Sequence, residues 1–291
     1  MRIPALPPQL RLSAEGPVAT LIIDRPDRLN AFTLQMWEAV PEAMAAVETA
    51  AQIRALIVRG PAGGPFSAGA DIDEFATVRR EPADAAAYTE VVQRAETAVA
   101  GLSKPTIALI EGWCVGGGCQ LALACDLRIA ADGASFGITP AKLGIVYPLT
   151  STARLVHTVG PAAARFLLMT GDVVDAQRAL QMGLVDEVCA AHAVQRRAEG
   201  LAKTLAGRAP ISVAGAKALV DRVLAGQHTD DGWSRSLYTA SYHSAEYAEG
   251  VAAFAARRVP DFSSCAWPDL GMVESRGHTE QDGAHRDEQF A

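Results

Sequence analysis

The sequence has few of the features that mark secreted, metal-binding or membrane-spanning proteins. Its five cysteines are odd in number and no two have the CxxC spacing, so we expect neither a disulfide framework nor a bound metal. No apolar run reaches the roughly 18 residues that span a bilayer. Residues 1–9 are too short and too rich in proline for a signal peptide. We therefore expect a cytoplasmic protein without membrane contacts.

An excess of positive charge is also missing. Among the 291 residues, 33 acidic side chains outnumber 26 arginines and lysines, which gives a formal net charge of -7. A protein that binds the phosphate backbone of nucleic acids normally needs a basic face, so the composition argues against nucleic acid as a partner. An anionic ligand would have to be bound by a few local basic residues.

Buried strands and helices alternate along the first part of the chain. Four short apolar runs are typical of buried strands. They are residues 18–24, 55–59, 105–111 and 127–131. Helical spacing of apolar residues predicts a helix over 33–51, with Thr33 as its N-cap, and another over 83–101. This alternation predicts an α/β fold, in which ligands bind near the carboxyl ends of the strands.

The chain divides into three parts by its patterning. Residues 1–200 contain the strands and are expected to form the core domain. From about Gly160 onward the pattern is helical, and residues 201–262 are expected to form a C-terminal helical region. Residues 263–291 are polar and lack periodicity, which is typical of a disordered tail.

Two glycine-containing segments carry the functional signal. Residues 65–75 (PFSAGADIDEF) follow a buried strand, and residues 111–126 (EGWCVGGGCQLALACD) place three glycines before an apolar helix. The second segment lacks the dinucleotide-binding spacing, because Leu121 stands where GxGxxG requires glycine, and it has no P-loop lysine. Both segments leave backbone N–H groups accessible to a ligand. Two converging N–H groups are what an oxyanion hole requires.

Five segments of the chain carry a family resemblance. They are DRPDRLNAF (24–32), FSAGADIDEF (66–75), KPTIALIEGWCVGGGCQLALACDLRIA (104–130), LLMTGDVVDAQRALQMGLVDEV (167–188) and EGVAAFAARRVPDF (249–262). In this order they resemble the crotonase superfamily, that is, the enoyl-CoA hydratase/isomerase family. The resemblance implies a crotonase-like (ClpP/crotonase) α/β fold, a spiral of β-β-α units with a C-terminal helical region. It also implies a homotrimer or a dimer of trimers, in which the C-terminal region completes the site of a neighbouring subunit.

The resemblance further implies an acyl-CoA substrate, with coenzyme A as part of the substrate and no separate cofactor. The oxyanion N–H groups would be those of Ala70 and Gly117. The residues that match coenzyme A contacts are Arg28, Leu29, Ala68, Ala70, Asp71, Ile72, Phe254 and Arg257. Phe254 and Arg257 would reach the coenzyme A that is bound to an adjoining subunit.

The sequence departs from the family at both carboxylates that a hydratase uses to move protons. Gln120 and Pro140 stand at these positions, and neither side chain can accept or release a proton near neutral pH. The oxyanion hole remains, which favours decarboxylase-like or isomerase-like chemistry through a thioester enolate. Residues 139–149 partly resemble methylmalonyl-CoA decarboxylases, which also carry a tyrosine where Tyr147 stands. We expect Gln120 and Pro140 to line one pocket without a nearby carboxylate.

Two alternatives remain open at this point. The protein could be an enoyl-CoA hydratase of fatty-acid β-oxidation that uses other residues, or a binding protein that retains the acyl-CoA site without turnover. A serine hydrolase built on Ser67 is disfavoured, because no GxSxG motif surrounds that residue. Incubation with malonyl-type and 2-enoyl-CoA thioesters distinguishes an enzyme from a binding protein.

Overall fold

The computed structural model describes residues 1–271, which form two compact units, Met1–Thr204 and a second unit that begins at Leu205. The strands are β1 Leu10–Glu15, β2 Val18–Ile23, β3 Ala55–Arg59, β4 Thr106–Ile110, β5 Trp113–Val115, β6 Leu127–Ala131, β7 Ser135–Gly137, β8 Val173–Asp175 and β9 Glu187–Cys189. The helices are α1 Leu34–Thr49, α2 Phe75–Val78, α3 Pro82–Ala100, α4 Gly117–Ala124, α5 Leu149–Thr170, α6 Ala176–Gln181, α7 Ala191–Ala206, α8 Pro210–Leu224, α9 Gly232–Tyr242 and α10 Ala245–Ala255.

The main sheet contains six strands in the order β1-β2-β3-β4-β6-β9. β1 and β2 form an antiparallel hairpin, and every other neighbouring pair is parallel. β3 and β4 are buried at every residue, as expected of apolar strands in a parallel sheet that is covered on both faces. The four strands predicted from apolar runs are confirmed, each within one residue at either end.

A second, three-stranded sheet has the order β5-β7-β8. β5 pairs with β7 in parallel, and β7 pairs with β8 in antiparallel orientation. Two successive parts of the chain, β4-β5-α4 and β6-β7-α5, therefore follow the order strand, strand, helix. This is the repeated unit that the family resemblance implies.

Helix α1 is fixed at both ends. Thr33 is its N-cap, as predicted, and the Thr33 hydroxyl accepts a hydrogen bond from the backbone N–H of Met36. At the other end, the fully buried Lys104 ammonium donates three hydrogen bonds of 2.6–3.0 Å to backbone carbonyls. These carbonyls belong to Val47, Glu48 and Ala50. The lysine therefore satisfies carbonyls that a helix end leaves without partners.

The region between β7 and α7 differs from the sequence prediction in two ways. Helical structure begins at Leu149 rather than near Gly160, and Gly160 (φ 73°) is a break between two helical parts of α5. The sequence also gave no indication of β8 and β9, because strands of three residues are too short to display a period. β9 is defined by its parallel pairing with β6.

The second unit contains α8, α9 and α10. All three lie within the C-terminal helical region that the sequence predicts over 201–262. Helix α10 ends at Ala255, and Arg257 after it adopts a left-handed conformation (φ 52°). Residues 263–271 of the predicted tail form no helix or strand, and residues 272–291 lie outside the described part of the chain.

Candidate active site

One pocket of the first unit brings the two glycine-containing segments together. Its cavity volume is about 120 Å³. The predicted catalytic residues all line it, and they are Ala70, Gly117, Gln120, Pro140 and Tyr147. The remaining walls come largely from α3 and from apolar residues before α5. The cavity is large enough for a small acyl group but not for coenzyme A, so only the acyl end of a thioester would occupy it.

Ala70 and Gly117 both line this pocket, and their backbones lie next to each other. Neither N–H donates to a backbone carbonyl of the described residues. A Cβ atom on Gly117 would lie 3.5 Å from the Ala70 nitrogen, so the two backbones are in close contact. Gly117 is also the first residue of α4, whose amino end attracts negative charge. The convergence of both N–H groups on a single oxygen stays a prediction.

The close approach of the two segments depends on Gly69. Its φ of 99° lies in the region that favours glycine. A Cβ atom there would come within 2.9 Å of the Val115 carbonyl oxygen and 3.0 Å of the Gly117 nitrogen. A larger residue at this position would separate the two donors.

Ser67 positions the first segment and is not placed as a nucleophile. Its side chain is fully buried, and its hydroxyl donates to the Asn30 carbonyl at 2.8 Å. The same hydroxyl accepts a hydrogen bond of 3.0 Å from the Gly69 N–H. Because both contacts hold the backbone before Ala70, the hydroxyl stabilises the loop.

Gln120 is linked to a carboxylate that the sequence reasoning missed. Gln120 Nε2 donates to Glu96 Oε1 at 3.0 Å and to Ser151 Oγ at 3.1 Å. The prediction of no nearby carboxylate was therefore wrong. Glu96 lies on α3 and is 1% exposed, and Arg154 Nη1 donates to its second oxygen at 2.8 Å. Ser151 Oγ also lies within hydrogen-bond distance of both Glu96 oxygens.

The Glu96 carboxylate determines how the Gln120 amide is oriented. An ionised carboxylate only accepts hydrogen bonds, so the NH₂ of Gln120 must face Glu96. The Gln120 Oε1 atom, for which the described residues provide no donor, is then available to a ligand in the pocket. Burial raises the pKa of Glu96, although the Ser151 hydrogen bond and the Arg154 charge partly offset this. Glu96 itself does not line the pocket.

Pro140 and Tyr147 line the same pocket as Gln120. Pro140 begins a short 3-10 helix, Pro140–Leu143, whose chain reverses so that the Ile145 N–H donates to the Pro140 carbonyl at 3.0 Å. The Tyr147 hydroxyl is buried and has no hydrogen-bond partner among the described residues. Burial, together with the nearby Glu96 charge, raises the pKa of Tyr147 well above its usual value. Tyr147 is therefore a neutral hydroxyl donor at physiological pH.

Two of the residues expected to contact coenzyme A, Arg28 and Asp71, are held in ion pairs. Arg25 Nη1 donates to Asp71 Oδ2 at 2.7 Å, and Arg28 pairs with Asp73 at 2.6 Å. Burial alone would raise the pKa of Asp71. The hydrogen bond from Arg25 and its charge lower this pKa by a larger amount, so the pKa of Asp71 lies below its usual value. Asp71 also accepts a hydrogen bond from the Asp73 N–H, which makes it an N-cap rather than a free ligand.

Three further residues of the expected coenzyme A site differ in accessibility. Leu29 adopts a left-handed conformation (φ 50°) and is exposed, and its carbonyl accepts from the Ala68 N–H at 2.9 Å. Ala68 and Ile72 both line the pocket. Ile72 is exposed despite its apolar side chain, so it can pack against a ligand.

Phe254 and Arg257 belong to the second unit. The Phe254 side chain is 89% exposed, and Val251 on the same helix is also exposed. Within the described part of the chain, these two apolar side chains of α10 are therefore largely uncovered. No helix among residues 1–271 combines the length and apolarity needed to cross a bilayer. Across the same residues, no group of three metal-ligating side chains comes together.

Comparison with known proteins gives a consistent result. The profile of the enoyl-CoA hydratase/isomerase family matches residues 13–265. Carnitinyl-CoA dehydratase of Salmonella arizonae is 35% identical over 264 residues, covering 87% of this chain and 97% of that protein. Crotonyl-CoA hydratase of Syntrophomonas wolfei is 31% identical over 257 residues, which cover 87% of this chain and 97% of that protein. The crystal structure of an enoyl-CoA hydratase/carnithine racemase from Magnetospirillum magneticum matches with a TM-score of 0.84 and 35% identity. The match covers 87% of this chain and 94% of that chain.

Proposed function

Because the chain belongs to the enoyl-CoA hydratase/isomerase family and has the crotonase fold, we propose that it converts an acyl-CoA through a thioester enolate without a carboxylate acid–base pair. The observation that carries this proposal is the pair of unengaged N–H groups at Ala70 and Gly117 in one pocket. Negative charge that develops on the thioester oxygen is stabilised there. Each such donor contributes on the order of 3 kcal/mol to the transition state.

The acid–base residues favour enolate formation by loss of a group other than a proton. Gln120 and Pro140 cannot take up a proton, and Glu96 is held by Ser151 and Arg154 behind the pocket wall. In decarboxylation of a 2-carboxyacyl-CoA, the C–C bond to the carboxylate breaks, CO₂ leaves and the electron pair enters the enolate. A proton then adds to carbon, and the unpartnered Tyr147 hydroxyl or water supplies it.

Isomerisation of an enoyl-CoA would share the same enolate but requires a group that removes a proton from carbon. No ionisable carboxylate lines the described pocket, so this reaction is less well supported than decarboxylation. The partial resemblance of residues 139–149 to methylmalonyl-CoA decarboxylases also favours decarboxylation. The match includes Tyr147 but not Gln120, where those enzymes keep glutamate.

Hydration is the second candidate, because the relatives include a protein named crotonyl-CoA hydratase and one named carnitinyl-CoA dehydratase. In this chain the free Gln120 amide oxygen can hold a water, and Glu96 fixes the amide from behind. Loss of a positioned acid or base lowers the rate by about 10² to 10⁴, so hydration would be slow.

The proposal is tested with three thioesters in D₂O: methylmalonyl-CoA, a 2-enoyl-CoA and a 3-enoyl-CoA. We expect CO₂ release from the first, with deuterium at C2 of the product, and at most slow conversion of the other two. The Ala70→Pro variant, which removes one oxyanion donor, should lower this rate by about 10² to 10³. Rapid hydration of the 2-enoyl-CoA without CO₂ release would favour the second candidate. Binding of all three without any conversion would identify a binding protein.

A further inference from the structure

The pocket contains one charged side chain that the proposed reaction does not use. Among the described residues that line it, Arg79 is the only one with a formal charge. Its guanidinium carbon Cζ lies over two aromatic rings, 4.2 Å from the ring centroid of Phe75 and 4.2 Å from that of Tyr88. The two rings meet edge to face, at 72° and with centroids 6.2 Å apart. These two cation–π contacts hold the guanidinium in the corner between the rings.

The Arg79 charge has no counterion within the described chain. None of the salt bridges of residues 1–271 includes it, and no carboxylate contributes to its pKa. Its Nε atom is buried and has no hydrogen-bond acceptor. Burial lowers the pKa of Arg79, with partial compensation from Tyr88, yet an arginine remains protonated at physiological pH. A half-buried cation without a counterion is unfavourable unless a ligand supplies the negative charge.

The position of Arg79 identifies which part of an acyl-CoA carries that charge. Trp37 lies against Gly117, and its indole N–H donates to the Tyr88 hydroxyl at 3.1 Å. Arg79 in turn lies over the Tyr88 ring, so the contacts run from Gly117 through Trp37 and Tyr88 to Arg79. A cavity of about 120 Å³ suits the acyl end of a thioester better than coenzyme A. We therefore assign the anionic group to the distal part of the acyl chain.

We infer that Arg79 binds a carboxylate at the far end of the acyl group, so that acyl-CoA ligands with a free distal carboxylate are preferred, in addition to the C2 carboxylate that the proposed decarboxylation removes. A stacked guanidinium offers paired N–H donors that match the two oxygens of a carboxylate. The inference rests on the proposed function, because it assumes an acyl-CoA in this pocket. The bound carboxylate is distinct from one lost as CO₂, since a guanidinium on the leaving group would stabilise the ground state and slow its departure.

The inference is tested by calorimetric binding of succinyl-CoA, glutaryl-CoA and adipoyl-CoA, each compared with its terminal carboxamide. The two members of a pair have the same shape and differ only in charge. We expect the wild-type protein to bind at least one carboxylate about 10- to 100-fold more tightly than its carboxamide, as for a charged hydrogen bond. Arg79→Gln should abolish this ratio, because it weakens carboxylate binding much more than carboxamide binding. Arg80→Gln, at the exposed neighbouring arginine, should preserve the ratio.

The outcomes separate this inference from the proposed function. If the wild-type protein binds carboxylates and carboxamides equally well, acyl-CoA binding stands and the role of Arg79 is overturned. If it binds neither class, the proposed function fails and the inference fails with it. A ratio that persists in Arg79→Gln would also overturn the inference. Should Arg79→Gln unfold on heating earlier than the wild type, Arg79→Lys provides the test, because it keeps the charge but loses the paired donors.

Discussion

Replacing Gln120 with glutamate restores the residue type that a hydratase of this family would use, but the structure predicts a penalty. Gln120 Nε2 lies 3.0 Å from Glu96 Oε1, so the variant carboxylate would face the carboxylate of Glu96 at nearly the same distance. Two unit charges 4 Å apart interact by about 4 kcal/mol at an effective dielectric constant of 20. Arg154 is already paired with Glu96 and can offset only part of this repulsion.

The buried pair in Gln120→Glu should avoid the repulsion by keeping one proton. Burial already raises the pKa of Glu96, and a second carboxylate would raise the pKa of the pair further. An acid whose pKa is higher in the native than in the unfolded state binds its proton more tightly when folded. The free energy of unfolding therefore decreases as the pH rises above the unfolded pKa, through the native pKa. We expect a loss of about 2–4 kcal/mol at pH 8 and of less than about 1 kcal/mol at pH 5.

The measurement is urea unfolding of the wild-type protein and Gln120→Glu at several pH values between 5 and 8. Gln120→Met is the matched control, because it keeps the side-chain length, loses the hydrogen bond to Glu96 and adds no charge. Its loss of stability should have a much weaker dependence on pH across this range. The reasoning is refuted if Gln120→Glu is as stable as the wild type at pH 8, or if its loss follows the same pH profile as that of Gln120→Met.

Three further predictions concern the oxyanion backbone, the end of α1 and the exposed helix face. Gly117→Ala places a Cβ 2.9 Å from Trp37 Cζ2, which would displace the Gly117 backbone. Turnover of an accepted thioester should therefore fall about 100-fold in a steady-state assay. Gly133→Ala is the control, because the space around Gly133 is open and turnover should hardly change. Lys104→Met removes three hydrogen bonds to buried carbonyls and should lower the free energy of unfolding by about 2–4 kcal/mol in urea; a loss below about 0.5 kcal/mol would contradict this. Sedimentation at micromolar protein should report about three or six chains, and Phe254→Asp should shift the mass downward; a monomeric wild type would rule out the shared site.

The strands and the glycine segments were predictable because their signals are local. Apolar runs such as 55–59 and 127–131 identify buried strands, and β3 and β6 occupy those residues. The break at Gly160 and the strand β9 were not predictable in this way. A three-residue strand has no period of its own and is defined only by the neighbour with which it pairs.

The missed carboxylate illustrates a different limit. Glu96 lies in an alanine-rich helix, where a single glutamate is usually solvated. A signal was nevertheless present, because Val92 and Val99 stand four residues before and three residues after Glu96, on the same helical face. Arg79 offered no such signal, since Arg79 and Arg80 are adjacent and only the folded structure distinguishes the stacked guanidinium from the exposed one.

The pairing of β6 with β9 has a consequence for synthesis on the ribosome. β6 ends at Ala131, whereas its partner begins only at Glu187, so more than fifty residues must be translated before that edge of the sheet can be covered. At 5–20 residues per second this takes roughly 3 to 11 s. During that interval the nascent chain has an unpaired, apolar strand edge, which is the kind of surface that recruits other chains. Nascent chains stalled after β6 has emerged but before β9 is made should therefore depend on ribosome-associated chaperones more than chains released beyond β9.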